Sequence, residues 1–292
     1  MSNSKNNKNS GTHMTGKKAL LEISRWIFLG IMVIFTLYPI IYTILGSLKT
    51  NAELTLGGSF FPEEWHFENY YQAFVGADFL QYAQNSILVG VSVTVLAVVT
   101  TSLAGFILAR REFAGKKILM ALYMSMMFVS LGSITLYPLY QVMHGLGLHK
   151  TPIALIIALT GGQATNVFLV MGFTKAIPKE LDEAAIIDGC NIYQVYYKVI
   201  LPLTKPILSV VALFSFRNAW NDYITGLVMT VTNPALKTLT VAVVQLKYSV
   251  NAAAEWHIML AGASIAIIPI LIVYMFANKQ FIAGLTAGAV KG

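Results

Sequence analysis

Pro178 to Pro202 reads P-K-E-L-D-E-A-A-I-I-D-G-C-N-I-Y-Q-V-Y-Y-K-V-I-L-P, a polar, helix-prone segment of 25 residues between long apolar runs. Pro178 suits the first turn of a helix, and Glu180, Asp182 and Glu183 favour its positive end. Gly189 supplies a left-handed stop, and Asn191 with Gln194 has the spacing of a capping box that opens a second short helix. Pro202 and Pro206 then break the chain before the next apolar run. The pattern predicts two short helices joined by a glycine bend, lying at a membrane surface. Structureless loops of this length are uncommon, which favours a functional loop over a solvated connector.

The sequence on either side is adapted to lipid. Of 292 residues, 56% are hydrophobic and 11% charged, with a mean hydropathy of +0.66, far more apolar than a soluble domain requires. Six runs are long enough to cross about 30 Å of hydrocarbon as helices. They lie near Trp26–Gly46, Tyr82–Leu108, Ile118–Tyr140, Pro152–Phe173, Ile207–Thr230 and Trp256–Ala277. The first is too long for a signal-peptide core and has no clear cleavage site. The runs are continuous rather than alternating, which disfavours strands. Residues 1–20, rich in Asn, Ser and Lys, cannot bury a core and read as a disordered tail; 21–292 form the membrane domain, with its long polar loop over 175–206.

Charge sets the expected orientation. The first, third and fifth of the segments outside the runs, with the C-terminus, carry fifteen of the twenty basic residues, including Arg110, Arg111, Lys116, Lys117, Lys175, Lys179, Lys198 and Lys205. The opposite side holds only Lys49, Lys150, Lys237 and Lys247, so both termini and the Pro178–Pro202 segment are expected in the cytoplasm. The net charge of +7 is thus spread between apolar runs, which argues against a nucleic-acid partner. Cys190 is the lone cysteine, and the five histidines have no ligand spacing, so neither a disulfide framework nor a metal site is expected. No phosphate-binding G-x-x-x-x-G-K-[ST] loop occurs, so any ATP hydrolysis must belong to another subunit.

At Glu183-Ala184-Ala185, Gly189 and Val199-Ile200-Leu201-Pro202 the chain resembles the E-A-A signature of binding-protein-dependent ABC importer permeases, departing only at Val199, where the family usually has Ile. Tyr38–Ile41, Ser47–Thr50, Asn85–Ser86, Ala109–Lys117, Leu136–Tyr140, Phe216–Tyr223 and the ending G-L-T-A-G-A-V-K-G resemble the maltose-type carbohydrate permeases, the last being typical of the second permease subunit. The resemblance implies an all-α type I importer fold with six transmembrane helices and both termini inside. It implies a bacterial or archaeal cytoplasmic membrane, a longer permease partner, two cytoplasmic ATPase subunits that hold the ATP and Mg, and an extracytoplasmic sugar-binding protein. Glu183, Ala184, Ala185, Asp188, Gly189, Leu201 and Pro202 would then couple to the ATPase, with Glu183 as charged contact, the two alanines allowing close approach and Gly189 permitting the bend. A permease for phosphate or peptides, or a membrane scaffold without a transport role, are the alternatives.

A second group lies in the fifth run. Arg217, Asn218, Asn221 and Asp222 sit near its middle, where each charge costs roughly 2.5–3.5 kcal/mol to insert. At about 100° per residue they fall on one arc of roughly 140°, while Phe216, Trp220 and Tyr223 form a separate aromatic stripe. Such a helix must turn its polar face to protein or water. These residues are candidates for a sugar pathway, Trp220 offering a ring face; the alternative is a salt-bridge network of Arg217 and Asp222 that holds subunits together. Tyr137, Gln141, Gln163 and Asn166 are lesser pathway candidates, more simply read as interhelical hydrogen bonds. His144 and His149 read as solvated, Cys190 as packing, and 51–78 as an acidic external loop.

Overall fold

The computed structural model describes residues 16–128, 132–248 and 254–289. Among these the chain is helical, with no strand. The N-terminal tail therefore lies largely outside the described residues.

Helix α1 (Gly16–Gly46) leads to two short helices, α2 (Asn51–Leu56) and α3 (Glu68–Gly76), in place of the expected acidic loop. They form because local polar groups satisfy each other. Thr50 and Glu53 make a reciprocal capping box on α2, and the Glu53 carboxylate also accepts the Glu63 N–H at 2.9 Å. These bonds, that to Glu63 first, hold the Glu53 pKa below its ordinary range. Buried Asn69 of α3 donates to the carbonyls of Ser47 and Lys49, both at 2.9 Å, and ties α3 to the end of α1.

The long α4 (Phe79–Arg110) is the central element, packed against α7 (Pro152–Thr160), α8 (Ala164–Ala176) and α11 (Lys205–Asn221). Helices α5 (Lys116–Phe128) and α6 (Leu136–Gly145) precede them. Helices α9 (Glu180–Ile187) and α10 (Ile192–Leu203) form the polar segment. Beyond α11 come α12 (Ile224–Thr230), α13 (Leu239–Gln245) and α14 (Trp256–Ala289). The core is mainly apolar: Val170, Ile207, Leu208, Val210 and Val211 join α8 to α11, and Phe79, Phe216, Trp220, Leu239 and Val243 close the opposite side of α11.

Among the described residues three helices are long and apolar enough to cross a membrane, over Leu20–Gly46, Phe79–Arg110 and Trp256–Met275. Two more candidates are bent pairs: α7 with α8 at 52°, and α10 with α11 at 76°. The fourth and fifth expected runs are thus not continuous helices. The fourth stops at Gly161 and resumes at Ala164, with Gly162 in the left-handed region at φ 69°. The fifth ends at Asn221, because Asp222 is extended at ψ 125°. The third expected run includes 129–131, outside the described residues.

Helix α1 is exposed from Leu20 to Tyr42, is covered only toward Gly46, and packs mainly on α14. Its hydroxyls bond back to their own helix: Ser24 to the Leu21 carbonyl at 2.9 Å, Thr36 to Met32 at 2.7 Å and Thr43 to Pro39 at 2.8 Å.

Helices approach closely at Gly105, where an added Cβ would meet Val170 Cγ1 at 2.7 Å and the Met171 backbone nitrogen at 3.0 Å. Gly105→Leu is expected to force α4 and α8 apart and lower the melting temperature of the detergent-solubilised protein, equivalent to about 1–3 kcal/mol of overpacking. Gly172→Ala, on the same α8 but with nothing within 4 Å, should not. Equal melting temperatures for the two variants would contradict the packing.

Candidate functional site

The segment 178–202 folds as its local chemistry dictates. Helix α9 starts at Glu180 with three carboxylates in its first turn, after Lys179 rather than Pro178. It ends in a turn in which Gly189 sits at φ 85° and the Cys190 N–H donates to the Ala185 carbonyl at 2.9 Å. Asn191 then accepts from the Gln194 N–H at 3.0 Å while Gln194 accepts from the Asn191 N–H at 2.8 Å, starting α10. The middle of α10, Val195–Ile200, is wound as a π-helix. The 76° turn into α11 falls at Thr204, between Pro202, which is still helical, and Pro206, in the first turn of α11.

One face of this unit is seated on the end of α4. Ala185, Val195 and Ile200 are buried against Phe106, and the Tyr196 hydroxyl lies 2.6 Å from Ser102 Oγ. Arg110, the last residue of α4, completes the seat. Its Nε is 2.7 Å from Asp182 Oδ2, with side chains only 4% and 15% exposed, and its Nη2 donates to the Ile177 carbonyl at 2.9 Å. A pair so far out of water holds its geometry firmly, because losing either partner strands a buried charge.

The other face is open. Glu183, Ala184, Asp188, Gly189 and Pro202 are exposed, and Leu201 is half-buried. Around them Leu181, Ile186, Ile187 and Tyr193 present apolar surface, Ile187 at 85% exposure. The expectation that both alanines serve close approach to a partner is corrected at Ala185, which points inward and is small because Phe106 lies over it. Cys190 is half-buried in the same apolar cluster.

The second site is a cavity of about 380 Å³ where the break between α7 and α8 faces the end of α11. Gly162, Gln163, Asn166, Ser215, Arg217 and Asn218 line it. Arg217 and Asn218 are exposed, and the Arg217 Nη2 reaches Asn218 Oδ1 at 3.4 Å. Asn166 is buried and donates to Gln163 Oε1 and, at 3.5 Å, to Ser215 Oγ.

Two expectations fail here, the continuous polar arc and the free ring face of Trp220. Within this chain Arg217 and Asp222 do not pair with each other. The Asp222 carboxylate instead caps α12, accepting the Gly226 N–H at 2.7 Å and the Thr225 hydroxyl at 2.9 Å. Because the helix ends at Asn221, the single polar arc stops there; Asn221 is exposed, while Asp222 and Tyr223 are half-buried. Trp220 offers no free ring face: it is 2% exposed, stacks on Phe216 with centroids 5.6 Å apart and donates its indole N–H to the Ala266 carbonyl at 3.2 Å. Gln163 and Asn166, by contrast, join Arg217 and Asn218 at the cavity, whereas Tyr137 and Gln141 bond each other elsewhere at 2.8 Å. His144 and His149 stack with ring centroids 4.4 Å apart, and burial, then the neighbouring His144, pushes the His149 pKa down. Among the described residues no three His, Cys, Asp or Glu side chains gather as metal ligands. Sequence reading missed the Arg110–Asp182 pair, which is remote in sequence and has no spacing signal; only the presence of Arg at the end of an apolar run could have hinted at it.

Residues 101–286 match the family model for the binding-protein-dependent transport system inner membrane component. The chain is 34% identical over 270 residues to the trehalose transport system permease protein SugB of Mycobacterium tuberculosis, covering 91% of this chain and 97% of that one. It is 32% identical over 270 residues to the sulfoquinovosyl glycerol transport system permease protein SmoH of Agrobacterium fabrum, covering 92% and 93%. Its fold is similar to a chain in the crystal structure of a bacterial ABC transporter involved in the import of the acidic polysaccharide alginate, with a TM-score of 0.76, 24% identity and coverage of 91% and 98%.

The seat of α9 predicts a measurable effect. Asp182→Asn leaves Arg110 buried without its counter-charge, and amide exchange over 180–187 is expected to rise about tenfold or more as α9 lifts from α4. Glu183→Gln, on the open face, should leave that exchange at its original rate. Similar exchange in both variants would contradict the latch.

Proposed function

The chain belongs to the binding-protein-dependent transport system inner membrane components, and from that premise we propose that it is the permease subunit of an ATP-binding-cassette importer for a carbohydrate. Family membership makes it a membrane-embedded transport component rather than the catalytic one. Carbohydrate is supported by relatives named for trehalose, sulfoquinovosyl glycerol and arabinooligosaccharides. Six spans follow if α1, α4, α5 with α6, α7 with α8, α11 with α12, and α14 each cross once. The basic residues at alternate connections favour cytoplasmic termini, hence a multi-pass protein of a bacterial or archaeal cytoplasmic membrane, with 1–20 as a tail and 21–292 as the permease domain.

The observation that carries the coupling role is the two-faced α9–α10 unit. Its inner face is locked to α4 through Arg110–Asp182 and the Ala185 cluster. Its outer face presents Glu183 and Ala184 amid Leu181, Ile186, Ile187 and Tyr193. We assign that outer face to the cleft of a cytoplasmic ATPase subunit, with Asp188 and Gly189 shaping the turn and Leu201 and Pro202 setting the exit. Closure of two ATPase subunits on ATP and Mg would move α9, and the latch would pass that motion to α4 as a rigid body. The chain itself would hold no cofactor. A longer permease would cover the cavity beside Arg217, Asn218 and Asn221, and a sugar-binding protein would deliver substrate from outside. In this arrangement Asp222 and Tyr223 shape the end of α11, and Trp220 stiffens it from behind.

Ile187→Asp is expected to lower co-purification of the ATPase subunit about tenfold or more, since a desolvated anchor is replaced by a charge, while the longer permease stays bound. Undiminished ATPase binding would refute the docking face. In the intact complex, ATPase activity is expected to rise with mono- or oligosaccharides plus binding protein; stimulation by phosphate or peptide instead would replace the carbohydrate reading.

A further inference from the structure

One cation lies far along α11, open to the cavity and without a counter-charge in this chain. Arg217 is twelve residues beyond Lys205, roughly 18 Å along α11 at about 1.5 Å per residue. Its guanidinium faces the cavity, its hydrogen bond goes to the neutral Asn218, and it forms no ion pair among the described residues. A charge at membrane depth needs compensation, and such residues mark substrate or ion paths.

The sequence restricts where compensation could come from. No carboxylate occurs between Glu112 and Glu180, and only Asp222 between Asp188 and Glu255. Both oxygens of Asp222 are engaged in capping α12. The remaining polar lining groups, Gln163, Thr165, Asn166, Ser215 and Asn218, are neutral. The opposite wall includes the first turn of α8, whose leading N–H groups have no acceptor within the helix and add positive potential. The cavity thus combines a cation, amide and hydroxyl groups suited to sugar hydroxyls, and no anion. Its volume of about 380 Å³ falls within the range of small-molecule sites, roughly 300–1,000 Å³.

We infer that this cavity is a site for an anionic saccharide, in which Arg217 holds the acidic group and the surrounding amides hold the ring hydroxyls. The inference rests on the carbohydrate-permease reading and names its substrate class. A planar carboxylate can accept two parallel N–H bonds from the guanidinium, whereas a neutral sugar would leave Arg217 uncompensated. The same carboxylate chemistry could be supplied by the longer permease, and the experiment separates the two sources.

The test uses the complete complex with its binding protein in proteoliposomes and measures uptake of matched disaccharide pairs, each a neutral hexose disaccharide and the corresponding uronic acid. The wild-type complex is expected to favour the acidic member. In R217Q the acidic-to-neutral uptake ratio should fall about tenfold or more, the scale of a lost charged hydrogen bond. R217K should keep a weaker preference for the acid, and all variants should co-purify with the longer permease. A wild-type preference for the neutral sugars, or an R217Q ratio equal to wild type, overturns the anionic site and leaves the carbohydrate reading standing. Loss of the longer permease from R217Q assigns the charge to an intersubunit ion pair and also overturns it. Uptake of no member of any pair removes the carbohydrate reading itself, and this inference with it.

Discussion

Inside hydrocarbon every backbone N–H and C=O must find a partner within the protein, and this constraint governs where the chain can stop being helical. Helix α4 obeys it simply, running 32 residues without interruption through the middle of the bundle. The interruptions at Gly161–Gln163 and Asp222–Tyr223 fall instead on the helices that wall the cavity. There the lost helical bonds have substitutes: the Asp222 carboxylate takes the Gly226 N–H, and polar side chains surround the α7–α8 break. Irregular backbone and polar side chains occur together because each makes the other tolerable.

The same logic explains the division of labour between the two sites. The α9–α10 unit borders the bundle and can carry exposed carboxylates, but its inner face must still be satisfied, by Phe106, Ser102 and Arg110. In the proposed coupling role, a unit fixed on one side and open on the other would transmit displacement instead of absorbing it. Both walls of the cavity, α7–α8 and α11, pack on α4.

The helical class, the polar segment and its internal geometry were legible in the sequence. The Gly189 turn and the Asn191–Gln194 box depend on residues three to five apart, and such local bonds survive whatever the rest of the chain does. Orientation of side chains was not legible. Ala185 and Ala184 are adjacent in sequence, yet one is buried by Phe106 and the other is open. A helical wheel through Asp222 assumed a continuous helix, and one extended residue invalidated its angles beyond Asn221. Trp220 was read by its usual chemistry in sugar sites, whereas distant Ala266 and Leu239 decide its position. Gln163 and Asn166 are candidates from sequence, but that they share a cavity with Arg217 depends on the glycine break between α7 and α8.

Helix α1 has a consequence for biogenesis. Its main neighbour in the chain is α14, which is synthesised much later. About two hundred residues separate them, so at roughly 5–20 residues per second α1 waits on the order of ten to forty seconds for that neighbour. Through that interval it must be stable as a lone segment in lipid. The hydroxyls of Ser24, Thr36 and Thr43 suit this interval, because each bonds a carbonyl of its own helix and so needs no partner from the rest of the chain.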